Sequence, residues 1–351
     1  MLFHAFNSSG TEMAVSVNTN DVYILSCPSS PGEKFQLTDV LKEHTSLVMN
    51  LDWAPKSDRI VSCSADRNAY VWTKQADGKW KPTFVMLQAR LAALCVRWSP
   101  LENKFAVGSG SKLIAVCFFD DRQDWWISKH IKKPIRSTVT CVDWHPNNAI
   151  VACGSTDFRV RVFAAQIKGL DVIVSETEWG KTSVFQTLLF EASNGDGWVH
   201  SVSFSPDGKR LVWLSHNSRV MIADSTAGGG SGDTNRPALV VSLRLTHLPL
   251  TTCSWISDSF FCAAGHDCHP MVFSYSALTS GIQFIQSLDS KNESRGDSKM
   301  TAMRKFRDID RFATLNNAGS RLPTLHQNSI KQGSTSSFYY IYIYSSLIIW
   351  S

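Results

Sequence analysis

The chain has 351 residues, of which 43% are hydrophobic and 19% are charged, so its composition supports a core and excludes disorder throughout. The 35 basic and 30 acidic side chains leave a net charge of +5. That small excess permits an acidic partner but lacks the basic bias typical of nucleic-acid-binding proteins, so we expect no nucleic-acid partner.

The amino-terminal segment MLFHAFNSSG lacks the charged and apolar regions of a signal peptide. The apolar run from Phe338 to Trp350 is too short to span a membrane as a helix. The nine cysteines are odd in number and lack the spacing of a disulfide framework. We therefore expect a cytoplasmic protein with reduced thiols and no membrane span.

An aromatic residue followed two positions later by proline recurs along the chain. The clear copies LDWAP, VRWSP, VDWHP and VSFSP contain Trp53, Trp98, Trp144 and Phe204. Weaker copies contain Phe6 and Trp255, and neighbouring copies are 45–60 residues apart. This period is close to the length of one four-stranded propeller blade, and the longer intervals require only loop insertions.

Runs rich in β-branched residues follow these copies, such as RIVSCSADRNAYVW after Trp53 and AIVACGSTDFRVRVF after Trp144. Alternating residues and tight turns of this kind are typical of strands. The sequence thus predicts an all-β propeller with six readable repeats within residues 1–331. Residues 164–197 and 225–238 are interpreted as exposed loop insertions.

The second repeat contains the residues of the buried tetrad that WD repeats share. His44, Ser64, Asp66 and Trp72 have its spacing, and Ser62 is the alternative serine. Histidine, serine and aspartate together can look catalytic, but we interpret this set as a structural network inside a blade. Asp66, together with Asp157 and Asp267 in later repeats, falls in a tight turn where a carboxylate can accept N–H groups.

A basic run with aromatic neighbours is the first candidate binding surface; it comprises Trp125, Trp126, Lys129, Lys132, Lys133 and Arg136. The run is either a solvated loop or a patch for an acidic segment, in which the aromatic rings supply an apolar contact. RNA binding is a less favoured interpretation.

His266, Asp267, Cys268 and His269 are adjacent in sequence, but zinc ligands normally come as two separated pairs and no second pair is present. We predict no metal and no cofactor.

Residues 297–313 are the one segment with a helical pattern. Met303, Phe306 and Ile309 share one face at the period of a helix. Such a helix either folds back on its own propeller or protrudes toward a partner. Residues 332–351 form a divergent tail that is rich in tyrosine and isoleucine.

Several segments are more specific than blade geometry requires, among them DWWISKHIKKPIRSTV, DWHPNNAIVACGSTDFRVRVF, AAGHDCHPMVF and MTAMRKFRDID. From about residue 43 to residue 331, they make the chain resemble subunit 1 of the actin-related protein 2/3 complex. The resemblance ends after Ile330, and relatives have additional residues before the segment that begins at His4. The first strand and the last blade are therefore expected to be truncated or atypical.

The resemblance implies a nominally seven-bladed, non-catalytic scaffold in the cytoplasm, at the cytoskeleton. It implies binding to the other subunits of the complex and support of actin filament nucleation and branching. It also implies that acidic segments of nucleation-promoting factors bind the basic run. The helical insert would contact the actin filament through Met300, Met303, Arg304, Phe306 and Ile309.

Two other functions are compatible with the repeats alone. A generic WD-repeat adaptor or receptor would bind peptide partners at the central opening of the ring. A propeller hydrolase would need a nucleophile and a base, and the sequence offers only residues with tetrad spacing.

Overall fold

Every regular element that the structure describes in this chain, a computed structural model, is a β-strand. The described residues are 2–28, 33–182, 184–193, 195, 197–226, 239–277, 281–288, 329–335 and 341–343. They contain six four-stranded antiparallel sheets, each of which is one blade. The predicted all-β propeller is confirmed.

The first three blades follow the chain without insertions. They comprise β1 (Leu2–Phe6), β2 (Glu12–Val17), β3 (Val22–Ser26) and β4 (Gln36–Leu41); β5 (Val48–Trp53), β6 (Arg59–Ser64), β7 (Ala69–Lys74) and β8 (Trp80–Val85); β9 (Ala93–Trp98), β10 (Lys104–Ser109), β11 (Leu113–Asp120) and β12 (Trp125–Ile131).

The fourth blade carries a small two-stranded ribbon between its third and outer strands. The remaining elements are β13 (Val139–Trp144), β14 (Ile150–Ser155), β15 (Arg159–Ala164), the ribbon β16 (Glu176–Thr177) and β17 (Gly180–Lys181), and β18 (Leu188–Ser193); β19 (Val199–Phe204), β20 (Arg210–Ser215), β21 (Arg219–Asp224) and β22 (Leu239–Arg244); β23 (Leu250–Trp255), β24 (Phe260–Gly265), β25 (Met271–Ser276) and β26 (Gly281–Ser287).

The hydrophobic core lies between neighbouring blades, as a series of clusters that each join two sheets. The second strands β10 and β14 are buried along their whole length, which is why they read as continuous apolar runs rather than alternating ones. The inner strands are less uniformly buried, because they line a central cavity as well as packing against the next blade. Arg97 of β9 and Asp143 of β13 are half-buried residues that line this cavity.

Two of the recurring tryptophans connect neighbouring blades through their indole nitrogens. Trp144 Nε1 donates to the carbonyl of Arg97 at 3.1 Å, and Trp255 Nε1 donates to the carbonyl of Ser203 at 3.0 Å. Both tryptophans are buried. At these two positions the anchor contributes both apolar packing and a hydrogen bond between blades, whereas Trp53 Nε1 donates to Asp58 within its own blade.

Where the residue before the aromatic anchor is an aspartate, as at Asp52 and Asp143, it forms a second connection between blades. Asp52 Oδ2 accepts the backbone N–H of Trp98 at 2.7 Å, and Asp143 Oδ2 accepts that of Phe204 at 2.7 Å. Each carboxylate thus satisfies an inner-strand N–H group of the following blade.

Residues 329–332 occupy the seventh position of the ring, between β23 and β1. The Gln332 side chain donates to the His4 carbonyl at 2.8 Å and accepts the His4 N–H at 2.9 Å. Ile330 donates its N–H to the Gly265 carbonyl at 2.9 Å and accepts the hydroxyl of Thr251. This segment joins the first and sixth blades, and just beyond it β27 (Gly333–Thr335) pairs with β28 (Ile341–Ile343).

The prediction that residues 164–197 form a simple exposed loop is wrong. Leu188–Ser193 is the outer strand of the fourth blade, and Ile167 and Trp179 are buried. Trp179 Nε1 donates to the carbonyl of Gly208 in the fifth blade at 2.8 Å. The apolar residues of this insertion are irregularly spaced and show neither the helix nor the strand period, so the sequence pattern did not predict that it is folded.

The predicted helical insert at 297–313 lies outside the described residues, as does most of the second insertion at 225–238. All nine cysteines are free thiols. In the part of the chain that the structure describes, no helix is long and apolar enough to cross a membrane.

Replacing Gln332 with alanine should weaken ring closure. The change removes two buried hydrogen bonds to the His4 backbone, so we expect the free energy of unfolding to fall by about 1–3 kcal/mol. Urea denaturation measures this loss, with Gln75→Ala in the exposed turn after β7 as the matched control. Equal stabilities of the two variants would contradict closure through Gln332.

Candidate binding surfaces and polar networks

The tetrad of the second blade is a closed hydrogen-bonded network. His44 Nδ1 lies 2.8 Å from Asp66 Oδ2, and His44 Nε2 lies 2.8 Å from Ser62 Oγ. Trp72 Nε1 donates to the same Ser62 oxygen at 2.9 Å. Both nitrogens of a buried imidazole are engaged, so this histidine has no lone pair directed at a substrate.

The assignment of Ser64 to the tetrad is wrong, because Ser62 occupies that place. Side chains two apart in a strand share a face, so the spacing alone did not distinguish the two serines. Ser64 ends β6, where its hydroxyl donates to the Ser46 carbonyl at 2.9 Å and accepts the Asp66 N–H at 3.1 Å. It therefore stabilises the turn.

The turn aspartates do more than the sequence predicted. Asp66 accepts the N–H of Asn68 within its own turn at 3.0 Å, as expected. Carboxylates at this position also accept an N–H group from the loop that precedes the inner strand: Asp66 from Thr45 at 3.1 Å, Asp157 from Arg136 at 3.0 Å, and Asp267 from Leu248 at 2.9 Å. Burial raises the pKa of Asp66, but its bonds from His44 and the backbone outweigh burial and hold that pKa below its usual value.

The predicted basic patch is divided by the fold, and the inclusion of Trp126 is wrong. Its side chain is buried against Trp98 and Phe105, with ring centroids 6.1 and 5.1 Å away. Trp125 is 46% exposed, because neighbouring residues of β12 point to opposite faces. At about 3.3 Å per residue, Trp125 lies about 20 Å from Ile131, the last residue of β12, and Lys132 comes after it, so Trp125 and Lys132 do not form one contact.

The basic side chains themselves remain at the surface. Lys129 is exposed on β12, with its ammonium 5.6 Å from the Phe118 ring and 5.9 Å from the Phe185 ring. Lys132, Lys133 and Arg136 follow in the loop that leads to the next blade. These three exposed side chains are named the basic loop below.

The backbone of the basic loop is fixed by one buried side chain and one hydrogen bond. The side chain of Ile135 is buried, and the Arg136 N–H donates to Asp157. Asp157 is in turn paired with buried Arg161 at 2.9 Å. Among the described residues, no ion pair involves the three basic side chains of the loop, so their charges face solvent.

A cavity of about 590 Å³ lies at the centre of the ring, lined by inner strands and by Lys331 and Gln332. Arg97 lines this cavity and lies 3.3 Å from Asp52. Burial raises the pKa of Asp143 to about 6, although Arg97 and N–H donors favour the ionised form. Burial, together with nearby histidines and Lys331, lowers the pKa of His200 to about 4. The wall of the cavity therefore contains both basic and acidic groups, and burial shifts the pKa values of Asp143 and His200.

Residues 35–73 and 128–163 match the family described as "WD domain, G-beta repeat". The first match contains the tetrad, and the second contains most of β12, the basic loop and Asp157. The WD-repeat character of the propeller is thereby confirmed.

The chain is 47% identical over 333 residues to Actin-related protein 2/3 complex subunit 1A-B of Xenopus laevis, covering 94% of this chain and 86% of that protein. It is 39% identical over 341 residues to Actin-related protein 2/3 complex subunit 1 of Schizosaccharomyces pombe, covering 93% and 88%. A protein named subunit 1B of the same complex in Arabidopsis thaliana is 34% identical over 334 residues, covering 93% and 85%. The chain belongs to the family of actin-related protein 2/3 complex subunit 1.

In this member of the subunit 1 family, the side chains of His266, Cys268 and His269 form hydrogen bonds within the protein. His266 Nδ1 lies 3.0 Å from the Ser329 hydroxyl, and His269 Nδ1 lies 2.9 Å from the Asp267 carbonyl. Cys268 Sγ lies 3.4 Å from the His266 carbonyl. Across the described ranges, no group of three or more such side chains is arranged to hold a metal ion.

The Asp143 carboxyl should make the stability of the propeller depend on pH. Its pKa is raised from 3.8 to about 6, so the native state binds the proton more tightly than the unfolded state does. Its contribution is full below about pH 4 and is lost as the pH rises through about 6. Relative to wild type, Asp143→Asn should therefore gain roughly 1–3 kcal/mol between pH 4 and pH 7.

Urea denaturation at several pH values measures this difference. The Asp121→Asn substitution, which removes an exposed carboxyl, is the matched control. A flat difference for Asp143→Asn, or one that falls with rising pH, would show that this carboxyl is not held protonated by burial.

Proposed function

We propose that this chain is a non-catalytic scaffold subunit of the actin-related protein 2/3 complex, in the cytoplasm at the actin cytoskeleton. In that role it supports nucleation and branching of actin filaments. The observation that carries the proposal is 47% identity over 94% of the chain to a protein named as subunit 1 of this complex. Such coverage extends over the described blades and is not confined to one repeat.

The arrangement of polar groups supports a role without chemistry. In the described blades, the set that most resembles a catalytic triad uses its histidine to join Ser62 and Asp66 within one sheet. Asp52 and Asp143 are likewise engaged with backbone N–H groups of the following blades. These groups stabilise a ring whose loops remain for partner binding.

We further propose that the basic loop binds acidic segments of nucleation-promoting factors. Lys132, Lys133 and Arg136 are exposed, and the loop is fixed by Ile135 and Asp157. Exposed positive charges attract an acidic chain. Because the backbone of the loop is already fixed, little backbone entropy is lost when that chain binds. Trp126 has no part in this surface.

The actin filament contact is proposed from the sequence pattern. Met300, Met303, Arg304, Phe306 and Ile309 belong to the amphipathic segment at 297–313, which lies outside the described residues. An apolar helical face on a protruding segment would have to be covered by a partner. The filament is the partner that family membership favours.

The proposed function is tested by purification of the tagged chain from cells that make it. We expect the two actin-related proteins and the other subunits of the complex in stoichiometric amounts. Recovery of adaptor or receptor partners in their place would support the generic WD-repeat alternative. In the recovered complex, Met303→Ser with Phe306→Ser should lower branch density on actin filaments without changing assembly.

Charge reversal of the basic loop should weaken binding of an acidic peptide. Lys132→Glu with Lys133→Glu replaces attraction by repulsion at exposed positions, so we expect at least a tenfold loss of affinity at low salt, about 1.4 kcal/mol. The loss should shrink at high salt, because exposed charges are screened over about 8–10 Å.

Fluorescence anisotropy with a labelled acidic peptide measures both effects. Lys168→Glu with Lys181→Glu reverses two exposed lysines on the insertion of the fourth blade and is the matched control. Equal affinities of the loop variant and the control at low salt would show that the basic loop is a solvated surface without a role in binding the peptide.

A further inference from the structure

The three most exposed large hydrophobic side chains in the described part of the chain all belong to the insertion between β15 and β18. Val172 is 84% exposed, Ile173 is 68% exposed and Val184 is 64% exposed. Scattered apolar residues at a surface are ordinary, but a concentration on one insertion is a mark of an interaction site. Residues 172 and 173 are named the Val–Ile tip.

The residue before the Val–Ile tip is fixed by a buried polar network. Asp171 Oδ1 accepts the side-chain amides of Asn103 at 3.1 Å and Asn148 at 2.9 Å. Its other oxygen accepts the Ile167 N–H at 2.6 Å and pairs with the Lys104 ammonium, whose side chain is fully buried. A carboxylate with this many partners does not move freely.

The residue after the Val–Ile tip is fixed from the opposite side. Gln166 accepts the Val174 N–H at 3.1 Å and donates to the Val174 carbonyl at 3.0 Å. The same amide donates to the Thr182 carbonyl, and the Thr182 N–H donates to the Ser175 carbonyl at 3.1 Å. The two arms of the insertion are therefore joined immediately behind the tip.

The side chains of Val172 and Ile173 are thus exposed to solvent, and the residues on either side of them, Asp171 and Val174, are held by hydrogen bonds. The surrounding structure restricts their backbone before any partner arrives, so the ordering cost of binding is largely met in advance. Burial of a valine or an isoleucine contributes on the order of 1.5–3 kcal/mol before ordering and desolvation costs. Exposed apolar residues on a restrained backbone have the properties of an interface anchor.

The exposed charges of the insertion indicate what kind of partner covers the tip. Exposed Lys168 and Lys181 stand with exposed Glu176 and Glu178 on the same insertion, so positive and negative charges balance. An apolar centre with a polar rim of both signs is typical of protein interfaces. A membrane surface is disfavoured, because a lipid-binding element normally has an excess of lysine and arginine.

We propose that the Val–Ile tip is a preorganised anchor that inserts into an apolar groove on another subunit of the actin-related protein 2/3 complex. The inference rests on the proposed function, because it takes its partner from membership of that complex. It assigns the insertion of the fourth blade a role in assembly, separate from the basic loop and from the segment at 297–313.

The experiment compares assembly of tip variants with complex that lacks subunit 1. Val172→Ser with Ile173→Ser should bind the remaining subunits at least tenfold more weakly, with an unchanged melting temperature of the free chain. The control, Leu37→Ser with Leu101→Ser, alters two other apolar residues that are 58% and 59% exposed. It should bind as the wild type does.

A second variant tests preorganisation and leaves the tip side chains in place. Gln166→Ala removes the two bonds to Val174, so hydrogen exchange at the Val174 amide should accelerate. The affinity for the other subunits should fall by less than in the tip variant, because ordering then accompanies binding. An unchanged affinity despite faster exchange would overturn the role of rigidity in the anchor.

The outcomes separate this inference from the proposed function. If the wild-type chain does not join the complex, the proposed function fails. If the wild type and the tip variant join it equally well, only the anchor is overturned. Self-association of the wild type that the tip variant abolishes, or binding to vesicles of anionic lipid that it abolishes, would also overturn the anchor by assigning the tip another partner.

Discussion

The second to fifth blades of this propeller are each covered on both faces by neighbouring blades, and that constraint determines most of the structure. Second strands such as β14 must be apolar on both sides, and the blades approach so closely that a Cβ added at Gly154 would lie 2.4 Å from Val199 of the next blade. The recurring aromatic residue is buried at the same junction. Because no blade can bury its core alone, the stability of each blade depends on its interfaces with its neighbours.

Because the sheets are buried on both faces, polar side chains within them cannot hydrogen-bond to water and need partners inside the protein. The structure resolves this with repeated internal bonds: Asp52 and Asp143 reach the next blade, and His44 connects Asp66 to Ser62. Histidine, serine and aspartate occur together here because a buried sheet needs donors and acceptors in pairs. The same chemistry explains why these residues resemble a catalytic set while serving stability.

The proposed binding surfaces lie on loops at the surface of the ring. The basic loop and the Val–Ile tip share a design, in which buried residues fix the backbone and the functional side chains stand in solvent. Asp157 performs this task for the basic loop, and Asp171 and Gln166 perform it for the tip. A rigid scaffold presenting fixed loops is suited to assembly, since affinity depends on how little must be ordered on binding.

The period of the aromatic anchors and the β-branched runs between them determined the propeller, because both are local consequences of a strand buried between neighbours. The tetrad histidine and aspartate followed from spacing, and the family followed from segments that blade geometry does not require. The choice of Ser62 over Ser64 depended on strand ends, and the burial of Trp126 on which face of β12 met the core. The folded insertion at 164–197 and the closure by Gln332 needed contacts between residues far apart in sequence. Only tertiary structure decides such features, because no local pattern records which distant partner satisfies a side chain.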